Sequence, residues 1–319
     1  MKEIAEVLSD YDLGKILNIL PAKNGARNRT YIIESEKGKF FLKEKNPLLT
    51  NTESFFHEYD IVQHLLNRGF KTAGIITNKR GDTFKRKGNL LYRLYEYIDG
   101  KRYTGTEQDD AKVARMLAEY HKIMGSFKGP APREDDYAQW VSGNFQRLKK
   151  KLNKNDFSEL SRIIDETTLK LTSLSNQLPC SVIHGDVHQF NITFRKGVPY
   201  LFDFDEIRME SRVGDLANTL IYFTCLDYKK IDFGDLLTFL QKCSPNMNNT
   251  EKFLKEYSAI YPLSRTEKKA LPLYLVLVWL GWLLWTLANV KCDYGKEINK
   301  SMFFVKETER LGERISDLA

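Results

Sequence analysis

Cysteine is scarce in this sequence and poorly placed for chemistry. The four, Cys180, Cys225, Cys243 and Cys292, share no C-x-x-C or metal-ligand spacing. That argues against a disulfide framework or a zinc site and fits free thiols in a reducing cytoplasm. A secretory signal is also missing, because MKEIAEVLSDYDLGKIL is charged and amphipathic, with no apolar region. Glycine-rich phosphate loops are lacking too. The turn-rich stretch 24–30 can bring backbone amides to a phosphate, but it holds only Gly25 and no G-x-G-x-x-G string. Acidic residues are in slight deficit, 42 against 49 basic, for a net charge of +7. The lysines are scattered, however, and the one tight cluster, Lys149–Lys151, lies in a helical pattern as a solvated face. A nucleic-acid partner is therefore not expected.

Only one long apolar run exists. Residues 271–290, LPLYLVLVWLGWLLWTLANV, carry no charge and are long enough to cross a bilayer. A helix apolar all round can equally be the central helix of a large helical domain. Pro272, following the charged stretch 265–269, is expected at a helix N-terminus, and no second segment of this kind is present to form a bundle.

With 319 residues, 42% of them hydrophobic and 12% aromatic, the chain can bury a substantial core. Residues 1–18 read as a helix. Strands are expected at 31–33, 39–43, 75–77, 83–85 and 90–97, with a helix over 52–67 whose apolar residues recur at helical spacing. After Gly105 the pattern turns helical, over 109–124, 145–152, 157–178 and from Gly214 onward, apart from a break at 244–246. The expected organisation is a β-rich N-terminal lobe, 1–97, and a helical C-terminal lobe, 98–319.

The chemistry concentrates in VIHGDVHQFNITFRKGVPYLFDFD, residues 182–205. Asp186 can accept a hydroxyl proton. Asn191 and Asp203 are hard oxygen donors suited to Mg²⁺ beside a transferring phosphoryl group. His184 follows an apolar strand and reads as structural, while His188 is a candidate substrate-side contact. Lys43 at a strand end and Glu58 on the next helix can form an ion pair oriented on a phosphate, although two ordinary surface charges would read the same way. Asp215, in Gly214-Asp215-Leu216-Ala217, is expected to cap a helix, with a substrate role as the alternative.

His184-Gly185-Asp186, then Asn191, Asp203 and Gly214-Asp215-Leu216-Ala217, resembles the aminoglycoside phosphotransferase and choline kinase superfamily of small-molecule kinases. Asn28-Arg29-Thr30, Lys43, Glu58 and the segment 95–100 extend the resemblance over most of the chain. It implies an α+β, bilobal protein-kinase-like fold with a small antiparallel sheet in the N-lobe and a larger, mostly helical C-lobe. It further implies ATP and Mg²⁺ as cofactors. Asn28 and Lys43 would meet the phosphates, Glu58 would anchor Lys43, and backbone groups around Glu96 and Ile98 would meet adenine. Asp186 would be the base, and Asn191 and Asp203 the metal ligands.

Two departures stand out, the glycine-poor loop and the triplet Asp203-Phe204-Asp205, whose Asp205 can add a metal or substrate contact. Leu178-Pro179 and Ala270-Leu271-Pro272 look most like the homoserine kinase type II group, in which the apolar helix is buried in the C-lobe and not in a membrane. The expected reaction is ATP-dependent phosphorylation of a small-molecule hydroxyl in the cytoplasm, with homoserine or a related amino alcohol favoured. The alternatives are an aminoglycoside, choline or sugar kinase, or a catalytically silent nucleotide-binding member. Acids at Glu107, Asp109, Asp110 and 134–136 could meet an aminoglycoside, and Trp279, Trp282 and Trp285 could cage choline.

Overall fold

Alternating apolar residues near the N-terminus build an antiparallel sheet, and the computed structural model describes residues 2–22, 28–47, 53–130, 137–226 and 236–316. In chain order the elements begin with α1 (Lys2–Leu8), β1 (Ile16–Pro21), β2 (Arg29–Ser35), β3 (Gly38–Lys45) and α2 (Glu53–Leu66). They continue with β4 (Ile75–Ile76), β5 (Lys85–Lys87), β6 (Leu90–Glu96), β7 (Lys101–Arg102), α3 (Glu107–Met124), α4 (Tyr137–Leu148) and α5 (Lys154–Ser175). Then come β8 (Cys180–Ile183), β9 (Ile192–Arg195), β10 (Val198–Leu201), β11 (Arg208–Ser211) and α6 (Arg212–Thr224). The chain closes with α7 (Leu236–Lys242), α8 (Met247–Ser258), α9 (Arg265–Asn289) and α10 (Tyr294–Ser316).

Two compact units result, one of residues 1–101 with 193–205, the other of residues 102–192 with 206–319. The short stretch holding Asp203 and Asp205 thus groups with the N-terminal residues.

In the first unit the strands run β1-β2-β3-β6-β4, with β5 also on β6. The helix expected over 1–18 ends at Leu8, and Ile16–Pro21 is a strand paired with β2. Only residues 16–18 of that strand fall within the expected helix, and the pairing with β2 is irregular there, with a register shift between Ile16 and Asn18. The irregularity brings Ile16 and Ile19, three residues apart, onto the core formed by Ile4, Val7, Leu8, Ile33, Leu42 and Leu94. An apolar spacing of three therefore belongs here to a bulged strand.

The second unit is organised on α9, which packs against α4, α5, α6, α7 and α10. By length and composition α9 could cross a membrane, but 72% of its most apolar window is buried inside the protein. Pro272 does not open this helix as expected. A capping box at Ser264 and Glu267 starts α9 at Arg265, so the charged stretch forms its first turns and Pro272 lies within it.

Candidate active site

In the first unit, β3 carries Lys43 and Lys45 on the same face, since side chains in a strand repeat every second residue. Both are buried, at 4% and 1% exposure. The Lys43 ammonium lies 2.6 Å from Asp203 Oδ1 and 2.9 Å from Asp205 Oδ2. The Lys45 ammonium is 3.2 Å from Asp205 Oδ1. Asn28 Nδ2 also donates to Asp205 Oδ2 at 2.6 Å, and the Ser54 hydroxyl donates to the Asp205 carbonyl at 2.6 Å. Burial alone would depress the Lys43 ammonium, but the charges of Asp203 and Asp205 outweigh it and hold its pKa well above the ordinary lysine value. Burial likewise raises Asp205, and Lys43 and Lys45 outweigh it to keep this carboxyl well below the usual range. Asp203 adopts a left-handed backbone, φ +69°, and keeps 40% of its side chain exposed.

Glu58 takes different partners from those expected. It is buried on α2 and accepts from Arg93 Nη1 at 2.7 Å and from the Tyr95 hydroxyl at 3.0 Å. Arg93 sits directly across from Lys43 in the sheet, and its guanidinium stacks on Phe55 at 3.8 Å. A fully buried arginine needs a nearby carboxylate, and Glu58 supplies it. At the end of β6, the exposed Glu96 gives its backbone N–H to the Gly74 carbonyl (2.8 Å) and takes the Gly74 N–H on its carboxylate (3.2 Å). Ile98 is half-buried just beyond. Residues 24–27 of the expected phosphate loop lie outside the described residues.

In the second unit, β8 pairs antiparallel with β11 and delivers the chain into His184. The loop then turns at Gly185, φ +80°, where a Cβ would fall 2.4 Å from both the Glu206 carbonyl oxygen and Arg208 Nη1. Only glycine satisfies that combination of backbone and space. Asp215 holds the turn from beneath. Its Oδ2 accepts the His184 N–H at 2.9 Å and its Oδ1 the Gly185 N–H at 3.0 Å.

The N-cap of α6 is Ser211, not Asp215. Asp215 is fully buried and caps the loop instead of its own helix. Burial would raise its carboxyl, but His121 and the His184 amide outweigh this and keep the pKa low. His121 is kept neutral by burial, which lowers its pKa. Its Nε2 donates to Asp215 at 3.1 Å and its Nδ1 accepts the Tyr257 hydroxyl at 2.7 Å. Arg212 extends the chain of bonds, reaching Tyr257 at 3.2 Å and gripping Glu267 at 2.6 and 2.9 Å.

Asp186 emerges from this fixed loop with 32% of its side chain exposed. Its N–H donates to His184 Nδ1 at 3.3 Å, and Asn191 Nδ2 donates to its carbonyl at 2.9 Å. The His188 ring accepts the Phe190 N–H at Nδ1, so its neutral form is protonated at Nε2, which lies 3.4 Å from Asp186 Oδ2. Because the Asn191 NH₂ group is committed to Asp186, the amide oxygen is the end suited to a cation. Among the described residues no three His, Cys, Asp or Glu side chains gather as a metal site. The Asn191 amide oxygen in the second unit and the open Asp203 carboxylate in the first are each a hard donor of the type Mg²⁺ takes beside waters and substrate phosphates.

The remaining expected groups divide. Glu107 pairs with Lys252, Asp109 accepts from Thr104, and Asp110 accepts from Tyr103, so all three are engaged around the start of α3. Residues 134–136 lie outside the described residues. Trp279 stacks on Phe304 at 4.2 Å in the core. Trp282 is half-buried and touches the Tyr222 ring at 5.9 Å, which in turn lies 5.3 Å from His188. Lys45 and His121 escaped the sequence reading. The two-residue spacing from Lys43 could have found Lys45, whereas His121 had no local signal.

The sequence pattern of the phosphotransferase enzyme family, APH, matches residues 18–230. A homoserine kinase of Phenylobacterium zucineum is 27% identical over 282 residues, covering 85% of this chain and 79% of that protein. One from Afipia carboxidovorans is 25% identical over 280 residues, with the same coverage. Among solved structures, a microcompartment-associated aminopropanol kinase superposes with a TM-score of 0.72 at 16% identity, covering 99% of both chains. An amicoumacin kinase in complex with AMP-PNP, Ca²⁺ and Ami gives 0.69 at 18% identity, covering all of this chain and 93% of the other. The fold is the protein-kinase-like one expected, an antiparallel N-terminal sheet followed by a mostly helical C-terminal part.

Proposed function

Since the chain belongs to the phosphotransferase enzyme family, we propose that it is an ATP-dependent small-molecule kinase whose acceptor is homoserine or a related amino alcohol. The observation that carries this reading is the loop at Asp186. Asp215 fixes His184 and Gly185, Asn191 donates to the Asp186 carbonyl, and the accessible Asp186 carboxylate is the kind of group that serves as a general base. The acceptor hydroxyl would give its proton to Asp186 as its oxygen attacks the γ-phosphorus, and the bond to the β-phosphate oxygen would break to release ADP. Asn28 and Lys43 would serve the phosphates, the backbone near Glu96 and Ile98 the adenine, and Glu58 would act through Arg93 and Tyr95. Mg²⁺, held by Asn191 and Asp203, would neutralise charge on the transferring group. His188 would steady Asp186 or meet the acceptor. Assignment to the cytoplasm agrees with the scattered free thiols.

The homoserine kinases among the relatives favour that acceptor. Glu107, Asp109 and Asp110, the described acids that a polycationic aminoglycoside could meet, already have partners at the start of α3. ATP consumption measured over homoserine, choline, ethanolamine, sugars and aminoglycosides tests the proposal, with Asp186→Asn as control. Turnover should be greatest with homoserine or another amino alcohol. Asp186→Asn should lose at least about a hundredfold in kcat, the scale of general-base catalysis, while still binding ATP. A full-rate Asp186→Asn enzyme would remove the base, a protein that binds ATP but phosphorylates none of these acceptors would be the silent member, and one that ATP does not stabilise would end the kinase reading.

A further inference from the structure

We propose that Lys45 and Asp205 form a counter-charge pair that holds Lys43 ready for the nucleotide's polyphosphate, making Lys45 a positioning residue for ATP binding. The inference rests on the kinase reading above and concerns side chains of the first unit alone. Two lysines, 4% and 1% exposed, stand on one face of β3, an arrangement that is costly unless each ammonium meets a carboxylate. Asp203 and Asp205 bring two negative charges, so the four groups balance.

The two carboxylates are not equivalent. Asp205 is nearly enclosed, at 18% exposure, and its oxygens are taken by Lys45 on Oδ1 and by Lys43 and Asn28 on Oδ2. Asp203 is 40% exposed and meets Lys43 at one oxygen. Asp205 is therefore engaged by lysines and an amide, which favours the structural one of the substrate or structural roles that the sequence leaves open to it.

An arriving polyphosphate can draw Lys43 from Asp203 and so open that carboxylate, provided something keeps Lys43 in place. Asp205 does so from the other side, 2.9 Å away. An uncompensated Asp205 would repel the same polyphosphate in a poorly solvated site, where charge interactions are strong. Lys45 cancels that charge without touching the phosphates. Its influence should therefore scale with ligand charge and vanish for an uncharged nucleoside.

The test is the dissociation constant of Mg²⁺-ATP and of adenosine for the parent, Lys45→Met and the double variant Lys45→Met/Asp205→Asn. Lys45→Met should weaken ATP by about tenfold or more and adenosine by less than about twofold. In the double variant no uncompensated charge remains and the amide oxygen at position 205 can still accept from Lys43, so it should bind ATP within about threefold of the parent, the signature of two coupled sites. Equal weakening of ATP and adenosine by Lys45→Met, or unchanged ATP binding, overturns the proposal. If Lys45→Met does not fold, the double variant, which buries neither charge, decides alone, and a loss of about tenfold in ATP affinity overturns the proposal. A parent that binds no ATP removes the kinase reading and this inference with it.

Discussion

Asp203 is held at φ +69°, a region in which residues with a Cβ are strained and glycine is not. The carboxylate is thus kept at a conformational cost of about 1 kcal/mol. Replacement by glycine should relieve that cost and replacement by alanine should not. Asp203→Gly is expected to unfold in urea at higher stability than Asp203→Ala, by about 1 kcal/mol, with phosphoryl transfer lost in both. Equal stabilities would show that the backbone there is relaxed. Asp110 offers a second case, because burial pushes its carboxyl up to about 6 although the Tyr103 hydroxyl donates to it. A raised acid favours the protonated folded state, so its contribution is full below about pH 4 and fades as pH rises through 6. Asp110→Asn keeps an acceptor for Tyr103 and should gain stability over the parent above pH 6, by about 1–3 kcal/mol, with little difference at pH 4. Melting curves of both proteins across that range provide the check. The string HGDVHQFN was enough to mark Asp186 and Asn191 as candidates in the sequence. Lys45 shares the Lys43 face by its two-residue spacing, but a polar residue on a strand reads as solvated until that face is known to be covered.

Among the elements, the link from α9 to the loop at Asp186 is the most consequential. Glu267 caps α9 and grips Arg212, which reaches Tyr257, His121 and finally Asp215 under the loop. Asp215 accepts three N–H groups, from His184, Gly185 and His121. An asparagine at this position would turn an NH₂ group toward some of those donors. Asp215→Asn should cost about 3 kcal/mol of stability and lower kcat more than it raises the ATP KM, because the lysine and carboxylate cluster stands in the other unit. Steady-state kinetics and urea unfolding measure both effects, and a loss confined to KM would contradict this account. Sequence periodicity located most helices and strands, and it failed where tertiary context intervened. The helix expected over 1–18 ran past its end at Leu8 into the first residues of β1, and Asp215 looked like a helix cap because its true partner, His121, lies 94 residues away.

For the molecule as a whole, composition and patterning were enough to foresee an N-terminal sheet followed by a helical part. They did not foresee that residues 193–205 return to the first unit, since that assignment depends on strand pairing between distant segments. The apolar run at 271–290 could be read two ways, and burial of α9 against its neighbours distinguishes them. Its position in the chain also bears on synthesis. The segments that become α4, α5 and α6 are translated before α9, whereas α10 follows it. For an interval the nascent chain therefore presents a bilayer-length apolar segment whose Trp279 has not yet met Phe304 and whose Pro272 has not yet met Gly312. Until α10 emerges, the part of α9 that it covers in the finished protein has no partner within the chain.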